Sequence, residues 1–209
     1  MIDNYSKLSI GKYLEILDIL EAESDDIDKY TSIVAVLDDM EVDAVLDLPL
    51  TDFSKRCKDI SFLFSQPEKT QLKDRYRLGR YDLDLVVDLK KITAGQYIDY
   101  MSFMKTPNKY LVEILSIFLV PRGKKYNQGY DISDVQSAIR TYLTVDHALS
   151  MSAFFLTLCR VLIETTLTSL ERKIRKMEKK GKPTEDLQKV LTNLQKIGDM
   201  YALSTEYLS

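Results

Sequence analysis

The beginning of the chain carries a pattern that returns 84 residues later. Residues 8–20 read LSIGKYLEILDIL and residues 92–104 read ITAGQYIDYMSFM, so a hydroxyl, a glycine, a tyrosine, an acid and most apolar positions recur. Further matches follow in the same order, and they pair 28–37 with 108–119, 45–50 with 135–145, and 62–63 with 155–156. Because a repeat defines the units of a fold, we predict one helical unit built twice around an internal pseudo-dyad. Chance similarity of two helix starts is the alternative.

Each copy predicts three helices. Thr93 and Gln96 have the spacing of a capping box, whereas Ser9 keeps the N-cap but has Lys12 three residues later. A second box is predicted over 133–136 from its serine and glutamine. The predicted helices are 10–22, 28–38 and 51–64 in the first copy and 94–105, 109–119 and 134–143 in the second.

A change of period between the copies predicts a β-hairpin. Residues 71–78 and 81–89 alternate between polar and apolar side chains on the two sides of Gly79 and Arg80. The first strand is basic and the second acidic, which favours their pairing. Because an isolated two-stranded ribbon is marginal in water, we expect it to pack on the helices or to pair with another chain.

The C-terminal third predicts two long helices. No proline or glycine interrupts residues 145–180, enough for a helix of about 35 residues and about 50 Å. The first half of this helix is apolar on most sides and should be buried. In its second half the apolar residues are confined to a narrow stripe. Residues 181–184 then end the helix before the next one begins. Two narrow stripes predict an antiparallel helical hairpin. The stripes are Ile163, Leu167, Leu170, Ile174 and Met177, then Leu187, Val190, Leu194, Ile197, Tyr201 and Leu208.

These patterns predict a mainly α protein of four segments. They are an acidic helical unit at 1–64, a β-hairpin linker at 65–91, a second helical unit at 92–158 and a long-helix hairpin at 159–209. Hydrophobic and charged fractions of 45% and 29% fit an ordinary globular protein. No apolar run reaches the roughly 18 residues of a membrane helix, and the N-terminus lacks leader features, so we expect neither a membrane span nor a leader.

Charge is distributed unevenly along the chain. Residues 1–64 carry 15 acids and 6 bases, whereas the whole chain has a net charge of only −3. The main basic cluster lies at 172–182, where we single out four residues as candidate protein contacts. These are Arg172, Lys173, Arg175 and Lys176. Solvated helix faces and head-to-tail contact between copies are the two interpretations.

The residues that catalysis or cofactor binding would require are sparse. His147, the only histidine, has no nucleophile or second ligand at a recognisable spacing, so we expect it to be hydrogen-bonded or solvent-facing. Cys57 and Cys159 are expected to be buried free thiols, and a zinc site is not expected. Gly11 and Gly95 stand alone and indicate tight packing of helix ends instead of a phosphate loop. We therefore predict no enzyme, no cofactor and no metal.

The segment 121–131 is the strongest candidate for a contact surface. It combines bases and tyrosines with two glycines between two predicted helices, and such long connections are usually functional or disordered. The candidate contact residues are Arg122, Lys124, Lys125, Tyr126 and Tyr130. Protein contact is the first interpretation, a purely structural turn the second and nucleic-acid binding the third, since three bases make a thin electrostatic footprint.

The second copy and its flanks resemble a family of viral proteins. The residues that carry the resemblance are 92–99, 115–121, 123–132 and 152–155. They resemble small helical proteins of the structural and tail modules of tailed bacteriophages, especially phages of gut Bacteroidota, including crAss-like ones. The outline is also similar to tail-assembly chaperones and baseplate-hub-assembly proteins. The resemblance spans roughly 8–158, and the C-terminal hairpin is not part of it.

This resemblance implies a non-enzymatic virion or tail-assembly protein. Its expected partners are other phage structural or tail proteins and further copies of itself, and its expected location is the virion, or the host cytoplasm during assembly. The alternative function is a DNA-contacting packaging or regulatory protein that uses residues 172–182. We expect nucleic-acid binding to be the weaker possibility, because the protein as a whole is acidic.

Overall fold

The computed structural model describes residues 2–68, 70–88, 91–107, 109–181 and 183–206, with side chains for all of these except 158–159, 161–162, 165 and 197–206. The fold is mainly α, as the sequence predicts, with a small antiparallel sheet. Contacts divide the chain into two compact units, residues 1–150 and 151–209. The first unit therefore contains the predicted segments 1–64 and 65–91 and most of 92–158.

The first copy of the repeat forms a helix pair followed by shorter elements. These are α1 (Ile10–Glu21), α2 (Asp26–Asp38), α3 (Val42–Leu46), α4 (Leu50–Asp59) and a 3-10 helix (Ile60–Phe64). Ser9 caps α1, as predicted, although its hydroxyl accepts from the Lys12 backbone N–H at a long 3.5 Å. The predicted helix 51–64 is confirmed as α4 and the 3-10 turn, whereas α3 is an additional element. Val45 of α3 packs with Val34 and Ala35 in a small apolar core.

The second copy repeats the helix pair and then departs from it. Its helices are α5 (Ala94–Phe103), α6 (Leu111–Phe118) and α7 (Ile132–Tyr142). The capping box of α5 is confirmed, because Thr93 accepts from the Gln96 backbone and the Gln96 side chain accepts from the Thr93 backbone.

The capping box predicted over 133–136 is wrong. Asp131 caps α7 by accepting from the Ser133 backbone N–H at 2.9 Å, and the Gln136 side chain lies 3.3 Å from the Ser116 hydroxyl. A carboxylate is a stronger acceptor for a helix N-terminus than a hydroxyl. The helix therefore begins two residues earlier than predicted.

The predicted β-hairpin is present and is part of a larger sheet. Strands β1 (Arg75–Leu78) and β2 (Tyr81–Leu85) join through Gly79, whose positive φ of 58° suits a tight turn. Arg75 pairs with Asp84 and Arg77 with Asp82, which confirms that a basic strand faces an acidic one.

A third strand extends the hairpin within the same chain. Strand β3 (Leu119–Pro121) pairs antiparallel with β2, so the predicted helix 109–119 ends early. Its apolar run shows no alternation, because it is buried, and it could not be distinguished from the helix before it. The sheet order is β1-β2-β3.

The start of α1 lies against the junction between α7 and the next helix, α8 (Val145–Glu178). The Ile10 N–H donates to the Leu143 carbonyl and the Val145 N–H donates to the Leu8 carbonyl, both at 2.9 Å. Leu8, Ile10, Leu143 and Val145 are almost completely buried. We call residues 143–145 the α7–α8 junction; it joins the first copy to the end of the second.

The second compact unit consists of the remainder of α8 and of α9 (Glu185–Glu206), joined through a turn in which Gly181 has a φ of 65°. The Gln188 amide lies 3.4 Å from the Glu178 carboxylate across that turn. Ile163 and Ile174 of the predicted stripe are buried, whereas Val190 is 46% exposed. Ile197, Tyr201 and Leu208 fall outside the described side chains, and the antiparallel pairing along the helices stays a prediction.

Candidate protein-contact surfaces

The segment Pro121–Asp131, called the contact loop below, has a defined conformation. The Arg122 N–H donates to the Asp82 carbonyl and the Lys124 N–H to the Pro121 carbonyl, each at 2.9 Å. A second turn closes where the Gln128 N–H donates to the Lys125 carbonyl at 3.0 Å. Because these hydrogen bonds fix the backbone at both turns, the loop is preorganised for contact.

Two tyrosines anchor the contact loop from inside. The Tyr126 hydroxyl donates to the Asp99 carboxylate of α5 at 2.9 Å, and the Tyr130 hydroxyl accepts from the Asn127 N–H at 3.1 Å. Burial raises the pKa of Tyr126, and the adjacent Asp99 carboxylate raises it further. Burial also raises the pKa of Tyr130. Both rings therefore remain neutral donors or acceptors near pH 7 and act mainly as supports.

The predicted bases of the contact loop point to solvent. Arg122, Lys124 and Lys125 are exposed, whereas Tyr126 and Tyr130 are half-buried. Lys124, Lys125 and Tyr126 line an open cleft of about 550 Å³ together with Asp74 and Asp84. Charges of both signs line this cleft. The bases are therefore available to a partner, while the tyrosines contribute mostly to the fold of the loop.

The predicted basic residues of α8 form a second exposed surface. Arg172, Lys173, Arg175 and Lys176 are all exposed, while Ile174 between them is buried. We call these four residues the basic face. Among the described side chains, no carboxylate lies within ion-pair distance of any of them. Their charges are therefore available to an external acidic group.

The acids of residues 1–64 separate into paired and exposed groups. Asp38 forms an ion pair with Arg56 in which both side chains are largely buried, and Asp39 binds Lys12 at 2.8 Å. Glu41, Asp43 and Asp47, in contrast, are exposed and form no ion pair among the described residues. The sequence does not distinguish these groups, because Lys12 and Arg56 are remote from Asp38 and Asp39 along the chain.

Exposed apolar side chains are concentrated in the same acidic region. Val42, Leu46 and Leu50 are 44%, 65% and 81% exposed, and Ile27 and Phe64 are also more than half exposed. These residues are not among the contact candidates that the sequence predicts. Their signal was a spacing of four residues, 42–46–50, within an acidic stretch, which resembles an ordinary buried stripe until the fold shows that Val45 alone is buried.

A polar cluster surrounds His147 at the start of α8. Thr70 donates to the Asp146 carboxylate at 3.0 Å, and Thr144 donates to its other oxygen. The His147 ring lies edge-on to Tyr76 at 5.3 Å, and its buried Nδ1 has no hydrogen-bond partner among the described residues. The expectation of a hydrogen-bonded or solvent-facing histidine is therefore wrong for this nitrogen.

The titration of this cluster follows from its burial. Burial lowers the pKa of His147; the Asp146 carboxylate opposes that shift and Lys73 reinforces it. Burial alone would raise the pKa of Asp146, but the hydrogen bonds that it accepts, including those from Thr144 and Thr70, hold it below the ordinary value. His147 is therefore neutral near pH 7 beside an ionised carboxylate.

Metal-ligating and thiol side chains are scattered among the described residues. Within the part of the chain that the structure describes, no group of three His, Cys, Asp or Glu side chains is placed to hold a metal ion. Cys57 is a free, half-buried thiol whose pKa is raised by burial, and the Cys159 side chain lies outside the described residues.

Of the described helices, none combines the length and the apolar character needed to cross a bilayer. Comparisons of this chain with protein-family models, with curated proteins and with solved structures find no match.

Proposed function

We propose that this chain is a non-enzymatic protein of a tailed bacteriophage, either a virion component or a tail-assembly protein. It acts by binding other phage structural or tail proteins and by self-association. The observation that carries this proposal is the contact loop, which falls within the part of the chain that resembles phage tail-module proteins. Its backbone is closed by internal hydrogen bonds while Arg122, Lys124 and Lys125 remain exposed. A preorganised loop loses little conformational entropy when it binds.

The experiment is site-specific photo-crosslinking during phage infection. A photoreactive residue replaces Lys125 in the contact loop or, as the matched control, the exposed Lys58 of α4, and mass spectrometry identifies the crosslinked proteins. We expect residue 125, and not residue 58, to crosslink to a structural or tail protein of the same phage. Mass spectrometry of purified particles then separates a virion component from an assembly factor. Crosslinks to non-structural proteins only, together with absence from particles and assembly intermediates, would contradict the proposal.

DNA contact through the basic face is the second candidate. It is supported by the exposure of Arg172, Lys173 and Arg175 without a carboxylate partner among the described side chains. Binding through phosphate contacts releases counterions, so affinity for duplex DNA would fall steeply between 50 and 200 mM salt. A mobility-shift titration over that range measures it. This candidate would be removed if no binding occurs at 50 mM salt. It would also be removed if binding is unchanged when the basic face is substituted.

A further inference from the structure

The solvent-facing side of α3 and the start of α4 has the composition of a contact surface. Val42 and Leu46 lie four residues apart on α3, and Leu50 begins α4 after residues 47–49, which separate the two helices; their exposed fractions rise from 44% through 65% to 81%. Val45 alone anchors α3 in the core, and α4 has no fully buried residue. Exposed apolar side chains grouped in this way favour association, because their burial removes apolar area from water.

Acidic residues accompany this apolar row. Glu41, Asp43, Asp47 and Asp52 are exposed, and among the described residues none of them forms an ion pair. Asp38 and Asp39, in contrast, are neutralised within the chain by Arg56 and Lys12. We call the three apolar residues and these four acids the acidic–apolar surface. Its partner should therefore supply apolar area and positive charge together.

The basic face of α8 has this combination. Each of its four side chains consists of an apolar stem and a charged head, and such stems cover apolar surface while the heads remain at its polar edge. Their neighbour Ile174 is buried, so the bases form the exposed part of that helix surface. Stems over Val42 and Leu46, with heads against Asp43 and Asp47, would match both properties of the acidic–apolar surface.

We infer that the acidic–apolar surface of one copy binds the basic face of a second copy. This inference rests on the self-association included in the proposed function, and it names the two surfaces that carry it. Different surfaces meet in such a contact, so the interface is heterologous and adds copies head to tail, into a ring or a filament. The four residues of the basic face are one or two positions apart in the sequence, so several charges lie at one contact.

The test uses two full-length variants that each lack one surface. In the first, Asp43→Lys, Leu46→Lys and Asp47→Lys change the acidic–apolar surface; in the second, Arg172→Glu, Lys173→Glu, Arg175→Glu and Lys176→Glu reverse the basic face. All these positions are exposed, so circular dichroism should show that both variants stay folded. Sedimentation velocity at low ionic strength then measures their size, because exposed charges are screened beyond about 8 Å at physiological salt.

We expect the wild type to form concentration-dependent oligomers and each variant alone to remain monomeric. An equimolar mixture should form only a one-to-one dimer, because a single intact pair of surfaces remains. A matched control, Glu21→Lys with Glu23→Lys, changes exposed acids outside the surface and should associate like the wild type. Leu46→Ser should weaken association at least tenfold while its dependence on salt is retained.

A monomeric wild type, or a mixture that does not dimerise, would overturn this inference. The same would follow if the first variant assembled normally, or if the basic face bound duplex DNA without any self-association. The crosslinking experiment at residue 125 uses neither surface. Failure of this inference therefore leaves the contact with other phage proteins standing, and failure of that contact leaves this one standing.

Discussion

The helix pairs α1–α2 and α5–α6 share one connection between their helices. The Lys12 ammonium donates to the Leu37 carbonyl at 3.1 Å, and the Gln96 amide donates to the Ile117 carbonyl at 2.8 Å. In the sequence alignment of the copies, Lys12 corresponds to Gln96 and Leu37 to Ile117. A side chain in the first turn of one helix thus reaches the last turn of its neighbour in both copies, which supports the duplication.

The two pairs differ in what covers the start of their first helix. Gly11 packs against Arg140 of α7, so that an added Cβ would lie 2.9 Å from the Arg140 side chain and carbonyl oxygen. Among the described residues, an added Cβ at Gly95 would meet only the capping hydroxyl of Thr93, at an ordinary 3.9 Å. The expectation of tight packing is confirmed for Gly11 and wrong for Gly95. The glycine at the start of the first helix therefore makes a buried contact in the first copy and lies at an exposed helix end in the second.

The largest expected difference between the pairs concerns the shared connection. Gln96→Leu removes a buried donor to Ile117 and the acceptor for Thr93, so we expect a loss of about 2–3 kcal/mol in unfolding free energy. Lys12→Leu leaves the Leu37 carbonyl without its donor, but water reaches this carbonyl more easily, so we expect a loss of about 1 kcal/mol in unfolding free energy. Urea denaturation of the two variants measures both values. Equal losses would mean that the two connections contribute alike.

The glycines provide a pair of substitutions with opposite expected signs. Gly11→Ala forces the backbone of α7 to move and should cost about 1–3 kcal/mol. Gly95→Ala meets open space and should stabilise the protein by about 0.5 kcal/mol, because alanine favours a helix over glycine. Thermal unfolding of both variants, at one pH and salt concentration, gives the comparison. Stabilisation by both substitutions would show that Arg140 and the backbone of α7 move away from α1 at little energetic cost.

The smallest effect concerns the burial of His147 in the first turn of α8. Burial lowers its pKa in the folded protein below the roughly 6.5 of an unfolded chain, so the unfolded state binds the proton first as pH falls. Stability is therefore complete above pH 6.5 and falls as pH drops towards the folded pKa. The ring is only half-buried and solvent screens its interactions, so the loss should stay well below about 1.4 kcal/mol for each unit of pKa difference.

The control for this pH dependence is His147→Phe, which keeps an aromatic ring against Tyr76 and cannot bind a proton. Since His147 is the only histidine, the variant should lose most of the change in unfolding free energy between pH 7 and pH 5. Chemical denaturation at several pH values measures it. An unchanged slope in the variant would assign the effect to other groups.

The elements that the sequence predicted best are those with short-range causes. The capping box at Thr93 and the β1–β2 hairpin need only residues within about ten positions, and both are confirmed. Strand β3 was missed because its apolar residues show no alternation next to an apolar helix. The sequence singled out the bases of the contact loop as contact candidates, and the structure shows them exposed, whereas the exposed apolar residues of α3 and α4 were not singled out.

Local chemistry in the sequence thus specifies the helix starts, the hairpin and the order of the repeated units, since caps, turns and periodicity act between near neighbours. Contacts between distant residues decide the rest. Arg56 and Lys12 neutralise Asp38 and Asp39, leaving other acids exposed, and Arg140 covers Gly11 but has no counterpart at Gly95 among the described residues. These ion pairs and this packing contact depend on which distant side chains meet in the folded chain, and the spacing of residues in the sequence does not predict that.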